Sequence, residues 1–218
     1  MVPRKDLSSL DYISIPYSTL PFQYYMPGTD QTVRITAPAV SEDIPSDIAD
    51  DSAEFNVLSG EITDTLSSSA SRYIAPLSEE LAGVEQDLCA LASARIINLS
   101  GISNTELRLT YGTANLEPLS IYDQNFTTLI RTLQKWGTLL TSAGKPDDAI
   151  TVLSYSVSIG SDIAGTYALL ARLYKERGEF GQIEELKVSA EKLNTLMKPS
   201  ILRDLEKLTE PADSSSAV

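Results

Sequence analysis

Two segments in the second half of the chain align without gaps when one is shifted by 34 residues, and this periodicity constrains the fold more than any other feature. A fixed period of roughly 20 to 50 residues marks architectures built from stacked units. The shared positions are Leu133, Trp136, Gly137, Leu140, Gly144 and Ala149 in the first segment, and Tyr167, Leu170, Ala171, Tyr174, Gly178 and Ile183 in the second. The spacing predicts paired helices, each pair burying its apolar face against the next.

The small and turn-forming residues of each segment have separate roles in this prediction. Gly137 and Ala171 leave room for two helices to approach closely. Gly144 and Gly178 are expected to adopt the left-handed conformation that ends the first helix of each pair. Pro146 suits the first position of the following helix, where an amide proton would have no intrahelical partner.

This order of residues resembles the tetratricopeptide repeat, over about residues 130–197. Gly144 to Ile150 matches the turn between the helices of a pair and the start of the second helix, and Arg177 to Phe180 matches the next such turn. The chain departs from the pattern at Ile183, where a small residue is usual, and at Ser156, where the second unit has Ala190. The resemblance implies a mainly α fold of helix-turn-helix repeats and a scaffold that binds proteins or peptides.

In this resemblance the first helix of each pair lines a concave groove. The residues that would face it are Arg131, Gln134, Thr138, Arg172 and Lys175. Such a groove is mildly basic and suits an acidic or extended peptide, held by charge-assisted hydrogen bonds. The family members that grip acidic C-terminal tails use lysine and asparagine where this chain has Gln134 and Thr138, so that ligand is not predicted. That these are ordinary solvated helix-face residues remains the alternative.

The repeat domain is predicted to span residues 125–208, followed by a disordered tail over 209–218. Its last segment, Pro199 to Leu208, places Ile201, Leu205 and Leu208 on one helical stripe and would serve as the capping helix that a solenoid needs.

Residues 59–124 are predicted to form a helix and a linking segment. The stripe Leu77, Leu81, Val84, Leu88 and Leu91 predicts a helix over residues 78–97 with Ser78 as its N-cap. Residues 98–122 stay unassigned, because Glu106 to Tyr111 fits either a strand or a helical turn.

Residues 1–58 are predicted to be extended or irregular. Prolines interrupt the aromatic stretches Ile13 to Tyr17 and Leu20 to Tyr25, so edge strands or loops are expected there, and Thr32 to Thr36 alternates like a short strand. Glu42 to Asp64 contains eight acidic residues and no basic one, which is typical of a solvated linker. Its charge also makes it a hypothetical internal ligand for a basic groove.

The chain contains no histidine and one cysteine, Cys89. This composition excludes histidine-based catalytic triads and metal sites built from several cysteines. We therefore predict a non-enzyme with no catalytic residue, no metal site and no cofactor. A hydrolase that uses two carboxylates is the alternative from another class of function.

Negative charge is concentrated in the first half of the chain. The formal charge is −13, and residues 1–124 carry six basic and 18 acidic side chains, whereas residues 125–208 carry eleven and ten. Such a field repels phosphate backbones, so nucleic acid is not an expected partner. No apolar run approaches the roughly 20 residues that cross a bilayer, so no membrane insertion is predicted.

This composition favours a soluble, acidic, cytoplasmic protein. The alternative of a soluble part of a membrane-anchored complex, whose anchor or signal preceded Met1, stays open, as does the oligomeric state. Asn98-Leu99-Ser100 and Asn125-Phe126-Thr127 match the glycosylation triplet, which also arises by chance.

Overall fold

A computed structural model describes residues 5–23 and 77–209 of the chain. Within these ranges the chain is mainly helical and contains no β-strand, so the predicted mainly α class is confirmed. The helices are α1 over residues 77–91, α2 Asn104–Tyr111, α3 Leu116–Ser142, α4 Pro146–Ser158, α5 Ala164–Glu176, α6 Phe180–Glu191 and α7 Lys198–Thr209. The predicted strand at 32–36, the acidic segment 42–64 and the tail after Thr209 lie outside the described residues.

The pairs α3–α4 and α5–α6 match at the turn between their two helices. The last residue of α5, Glu176, lies 34 positions after the last residue of α3, Ser142. The first residue of α6, Phe180, lies 34 positions after the first residue of α4, Pro146. The two turns also share their hydrogen bonds. In each, the residue before the second helix donates its N–H to a carbonyl five positions earlier over 2.9 Å, Lys145 to Leu140 and Glu179 to Tyr174.

The turn residues adopt the predicted conformations. Gly144 has φ = 71° and Gly178 has φ = 73°, in the left-handed region that side chains other than glycine adopt at a cost. Pro146 is the first residue of α4. These three predictions are confirmed.

The two helices of the first pair lie close together at Gly137. A Cβ atom at this position would lie 2.6 Å from the Leu153 side chain of α4, so only glycine fits without displacement. The large aromatic residues Trp136 and Tyr167 are completely or almost completely buried, so they pack inside the helical layer. Ile183, the departure from a small residue, is also fully buried.

The final helix occupies the predicted segment and extends it by one residue at each end. α7 packs against α5 and α6, and its Ile201 and Leu205 are buried. Its first residue, Lys198, lies 34 positions after Ala164, the first residue of α5. Thr209, the predicted first residue of the tail, is instead the last residue of this helix.

The prediction for α1 was wrong at both ends. Leu77 is already helical, so Ser78 lies inside the helix and is not its N-cap, and the helix ends at residue 91 and not at 97. The predicted helix included Ile96 and Ile97, but the structure buries both residues in a segment without regular secondary structure.

Long-range contacts hold this segment, residues 95–99, against α3. The Ile97 N–H donates to the Tyr122 carbonyl over 3.3 Å, and the Leu99 N–H donates to the Asp123 carboxylate over 3.1 Å. Asn125 donates its side-chain amide to the Arg95 carbonyl over 2.9 Å, and the Asn98 amide donates to the carbonyls of Ile159 and Gly160. The amide nitrogens of both glycosylation triplets are therefore used inside the fold.

The unassigned residues 98–122 contain α2 and the first turns of α3. Ser103 caps α2 by accepting a hydrogen bond from the Glu106 N–H over 3.2 Å. The helix contributes Leu107 to a small core with Ile97, Leu99 and Leu119. α3 runs on from there without a break through residues 124 and 125, the position of the predicted domain boundary.

The described N-terminal residues form loops and a short 3-10 helix, Leu7–Ser9, and no edge strand. We call residues 12–23 the strap. Its Ile15 and Leu20 are buried in the main core, which extends from the strap through α1 and α3 to Leu205 of α7. No helix of the described ranges has the length and apolar composition needed to span a bilayer.

Candidate functional site

The outer surface of α3 carries an uninterrupted stripe of exposed polar residues that includes two cations. Arg131, Lys135 and Thr138 are exposed, while Leu133, Trp136 and Leu140 on the opposite side are fully buried. The spacing of four and three residues follows from the 3.6-residue period of the helix, so the exposed residues share one face. The sequence from Gln124 to Ser142 contains no acidic residue, so this face is basic.

The neighbouring helix α5 adds a second basic surface. Arg172 and Lys175 are exposed, and α5 has no acidic residue before Glu176. α3 and α5 meet at Gln134, which is half-buried: a Cβ atom at Gly165 would lie 3.2 Å from its amide nitrogen. We call the exposed surface of residues 124–142 and 164–175 the α3–α5 face.

The five predicted site residues fall into three groups. Arg131, Thr138 and Arg172 are exposed on the α3–α5 face, and Gln134 lies at the contact between its two helices. Lys175 donates its ammonium to the Leu208 carbonyl over 2.9 Å and so ties α5 to the end of α7. The structure thus gives Lys175 a contact within the fold that the sequence did not predict.

The hydroxyl groups of the α3–α5 face already donate hydrogen bonds to backbone carbonyls of α3. Thr138 donates to the Gln134 carbonyl over 2.9 Å, and Thr128 donates to the Gln124 carbonyl over 3.0 Å. Ser142 does the same with the Thr138 carbonyl over 3.1 Å. Because these oxygens retain only lone pairs, they can accept from a ligand. The donors of the face are the guanidinium groups, the Lys135 ammonium and the Gln134 amide.

The cations of the α3–α5 face differ from those of α7 in their pairing. Arg131, Lys135 and Arg172 form no ion pair with any residue in the described part of the chain. On α7, Arg203 and Lys207 lie 3.9 Å and 3.3 Å from the Asp204 carboxylate. The α3–α5 cations therefore keep their full attraction for an external anion.

Sequence reasoning missed Lys135 and the strap contacts. Lys135 lies one helical turn after Arg131, so the exposed stripe itself could have identified it. The strap residue Phe22 packs against Trp136 with tilted rings whose centroids are 4.9 Å apart, a contact between positions more than 100 residues apart. Only the run of apolar residues in the strap could have indicated it.

The groups that could carry other chemistry lie apart from this face. Burial, and secondarily the negative charge of Glu85, raise the pKa of the Cys89 thiol, which keeps it protonated at neutral pH. Glu184, in an open depression of about 480 Å³ on α6, pairs with Lys187 over 2.9 Å. Within residues 5–23 and 77–209, no three potential metal-ligating side chains of the His, Cys, Asp or Glu type cluster together.

Comparison of the chain with protein-family models, curated proteins and solved structures finds no match.

Proposed function

We propose that the chain is a protein-binding scaffold of the tetratricopeptide type, which holds an acidic, extended polypeptide segment on the α3–α5 face. The observation that carries this proposal is the set of three cations without an ion pair in the described ranges, Arg131, Lys135 and Arg172. They lie on two adjacent helices that contain no acidic residue within residues 124–142 and 164–175. Carboxylates are the partners that these donors favour, since hydrogen bonds between charged groups are stronger than those between neutral groups.

The matching turns of the two helix pairs support the scaffold part of the proposal. A 34-residue offset relates both the ends of α3 and α5 and the starts of α4 and α6. The start of α7 has the same offset from α5, so α7 stands where the first helix of a third unit would begin. We assign it the role of capping helix, because it covers α5 and α6 and exposes Arg203, Glu206 and Lys207.

In the proposed complex, α3 and α5 form the inner wall of the array. The two guanidinium groups bind carboxylates of the segment, and the Gln134 amide donates to its backbone. The hydroxyl oxygens of Thr128 and Thr138 accept from its N–H groups. These contacts recognise the negative charge and the extended backbone of the segment. They do not require that the segment end in a free C-terminus.

The test is a binding titration with labelled peptides that differ only in their number of acidic residues. Affinity should rise with that number and fall with added salt. The double variant Arg131→Ala/Arg172→Ala should lose at least about tenfold in affinity, because the loss of even one charge-assisted hydrogen bond of about 1.5–3 kcal/mol corresponds to about that factor.

The matched control removes the same charge from another part of the molecule. Arg203→Ala/Lys207→Ala deletes two cations that already pair with Asp204 on α7, so its affinity should stay near that of the unchanged chain. Equal losses in the two double variants would mean that only net charge matters, and the assignment of the face would then be abandoned. Failure of the unchanged chain to bind any of the acidic peptides would reject it as well.

A further inference from the structure

The strap lies along a crevice between α1 and α4. Tyr155 of α4 donates its hydroxyl to the Ser14 carbonyl over 2.9 Å, and Tyr17 donates its hydroxyl to the Leu88 carbonyl of α1 over 3.4 Å. Farther along, the Gln23 N–H donates to both oxygens of the Glu85 carboxylate at 3.1 Å and 3.2 Å. The strap therefore runs antiparallel to α1 and contacts both walls.

Three apolar side chains anchor the strap in this crevice. Ile15 and Leu20 are 7% and 5% exposed, and Phe22 covers Trp136 at the floor. Between these three anchors, the backbone of the strap forms few hydrogen bonds with the helices. Side-chain anchors in pockets combined with a few fixed backbone contacts are how folded domains recognise extended peptides.

The bends of the strap are held by the strap itself. The N–H groups of Thr19 and Leu20 both donate to the Pro16 carbonyl over 3.1 Å, and the Phe22 N–H donates to the Leu20 carbonyl over 2.9 Å. A segment that keeps its own turns loses less conformational entropy on docking than a fully unstructured one. Its departure also breaks no hydrogen bond within any helix.

The strap and α1 are separated by the 53 residues 24–76 in sequence. The crevice is therefore built by elements distant in the chain from the segment that fills it. The same segment on a second copy would offer the same anchors and the same backbone groups. The covalent connection only raises the local concentration of the chain's own strap near the crevice. The strap of a second copy can compete with it when the protein concentration is high enough.

We propose that the crevice between α1 and α4, with Trp136 at its floor, is a second polypeptide-binding site, distinct from the α3–α5 face. Its ligand is the strap, residues 12–23, supplied in cis by the same chain and in trans by a second copy. Glu85 and Tyr155 bind the backbone of the strap, and Trp136 binds Phe22.

The first test uses a labelled peptide of residues 5–23 and the full chain with Ile15→Asp, which disables the resident strap and leaves the crevice unchanged. The peptide should bind this variant and change the emission of Trp136, the single tryptophan of the chain. The unchanged chain should bind it at least about tenfold more weakly, because its own strap competes at high local concentration. A Phe22→Ala peptide is the matched control and should bind the variant much more weakly than the native peptide.

The second test uses the unchanged chain, so it does not depend on how well a variant folds. The amide protons of Ile13 and Gln23 should exchange with solvent at least about tenfold faster than those in the middle of α3, because the strap opens while the helices stay folded. In native mass spectrometry of mixed isotope-labelled and unlabelled chains, mixed dimers should increase with concentration, and Ile15→Asp chains should give fewer.

Three results would overturn the proposal. One is a folded Ile15→Asp chain that does not bind the native peptide. Another is strap amides that exchange no faster than those of α3, which would make the strap an inseparable part of the core. The third is peptide binding without mixed dimers at any concentration, which would show that a free segment and not a second copy is the occupant.

Discussion

At the scale of single residues, Gly137 shows how closely α3 and α4 approach. Alanine at this position would place its Cβ 2.6 Å from Leu153, so the helices would have to separate or Leu153 would have to move. We expect Gly137→Ala to lower the free energy of unfolding by about 1–3 kcal/mol, measured by urea titration.

The matched change is Gly83→Ala in α1, where a Cβ atom meets nothing within 4 Å in the described structure. There alanine should stabilise the chain by about 0.5–1 kcal/mol, because glycine is the poorer helix former. If the two variants changed stability by the same amount and sign, the close contact at Gly137 would be disproved.

A second residue-scale prediction concerns alkaline pH. Burial, together with the negative charge of Asp162, raises the pKa of Tyr167 from 10.0 to about 12. Because the folded chain keeps this phenol protonated to higher pH than the unfolded chain does, the stabilisation is complete below about pH 10 and is lost as pH rises toward 12. The free energy of unfolding should fall by up to about 3 kcal/mol across that window. Tyr167→Phe should flatten this slope in urea titrations, and an unchanged slope would contradict the assignment.

At the scale of secondary-structure elements, the turns of the two helix pairs should respond alike to mutation. Gly144 and Gly178 have nearly the same positive φ, so Gly144→Ala and Gly178→Ala should each lower the free energy of unfolding by about 1–2 kcal/mol. Gly144→Asn should cost less, because asparagine tolerates the left-handed region better than alanine. A loss at only one of the two alanine variants, in thermal or urea unfolding, would show that the turns are not equivalent.

The elements that can be located from the sequence are those fixed by neighbours in sequence. A turn that needs positive φ selects glycine locally, so Gly144 and Gly178 are identifiable, and Pro146 marks the next helix start. α2 also has a local signature, because Ser103 followed by Glu106 is a capping pattern. The alternation from Glu106 to Tyr111 obscures it, since that stretch alone fits a strand equally well.

The elements that the sequence pattern misplaces depend on distant partners. The predicted helix ran on to residue 97, yet the Tyr122 carbonyl and the Asp123 carboxylate accept hydrogen bonds that hold Ile97 and Leu99 outside α1. The strap is similar, since Glu85 lies 62 residues from Gln23. Within the candidate site, the exposure of Arg131 and Arg172 was predictable from helical period, whereas the Lys175 contact with the end of α7 was not.

At the scale of the whole molecule, one core connects the strap to α7, so a cavity at one end should affect the other. Leu205 is fully buried, and Leu205→Ala should lower the free energy of unfolding by about 2–5 kcal/mol. The urea midpoint should shift equally in circular dichroism and in Trp136 fluorescence, since α7 and Trp136 share the core.

Leu196 offers the control for this prediction, because it lies just before α7 in the sequence but is 99% exposed. Leu196→Ala should change stability by less than about 0.5 kcal/mol. If the Leu205→Ala shift appeared in circular dichroism alone, the C-terminal helix would unfold separately from the rest of the core.

α7 starts 34 residues after α5 starts. The molecule could therefore be lengthened by inserting complete 34-residue units. Residues 164–197 contain one complete step, from the first residue of α5 to the residue before α7. If a duplicate of this segment were inserted after residue 197, a second copy of α5 would follow α6. This copy would start at the position where α7 starts now. The ends of the molecule would keep their neighbours while the α3–α5 face gained another Arg172. On the proposed function, longer versions of the chain would bind longer acidic segments.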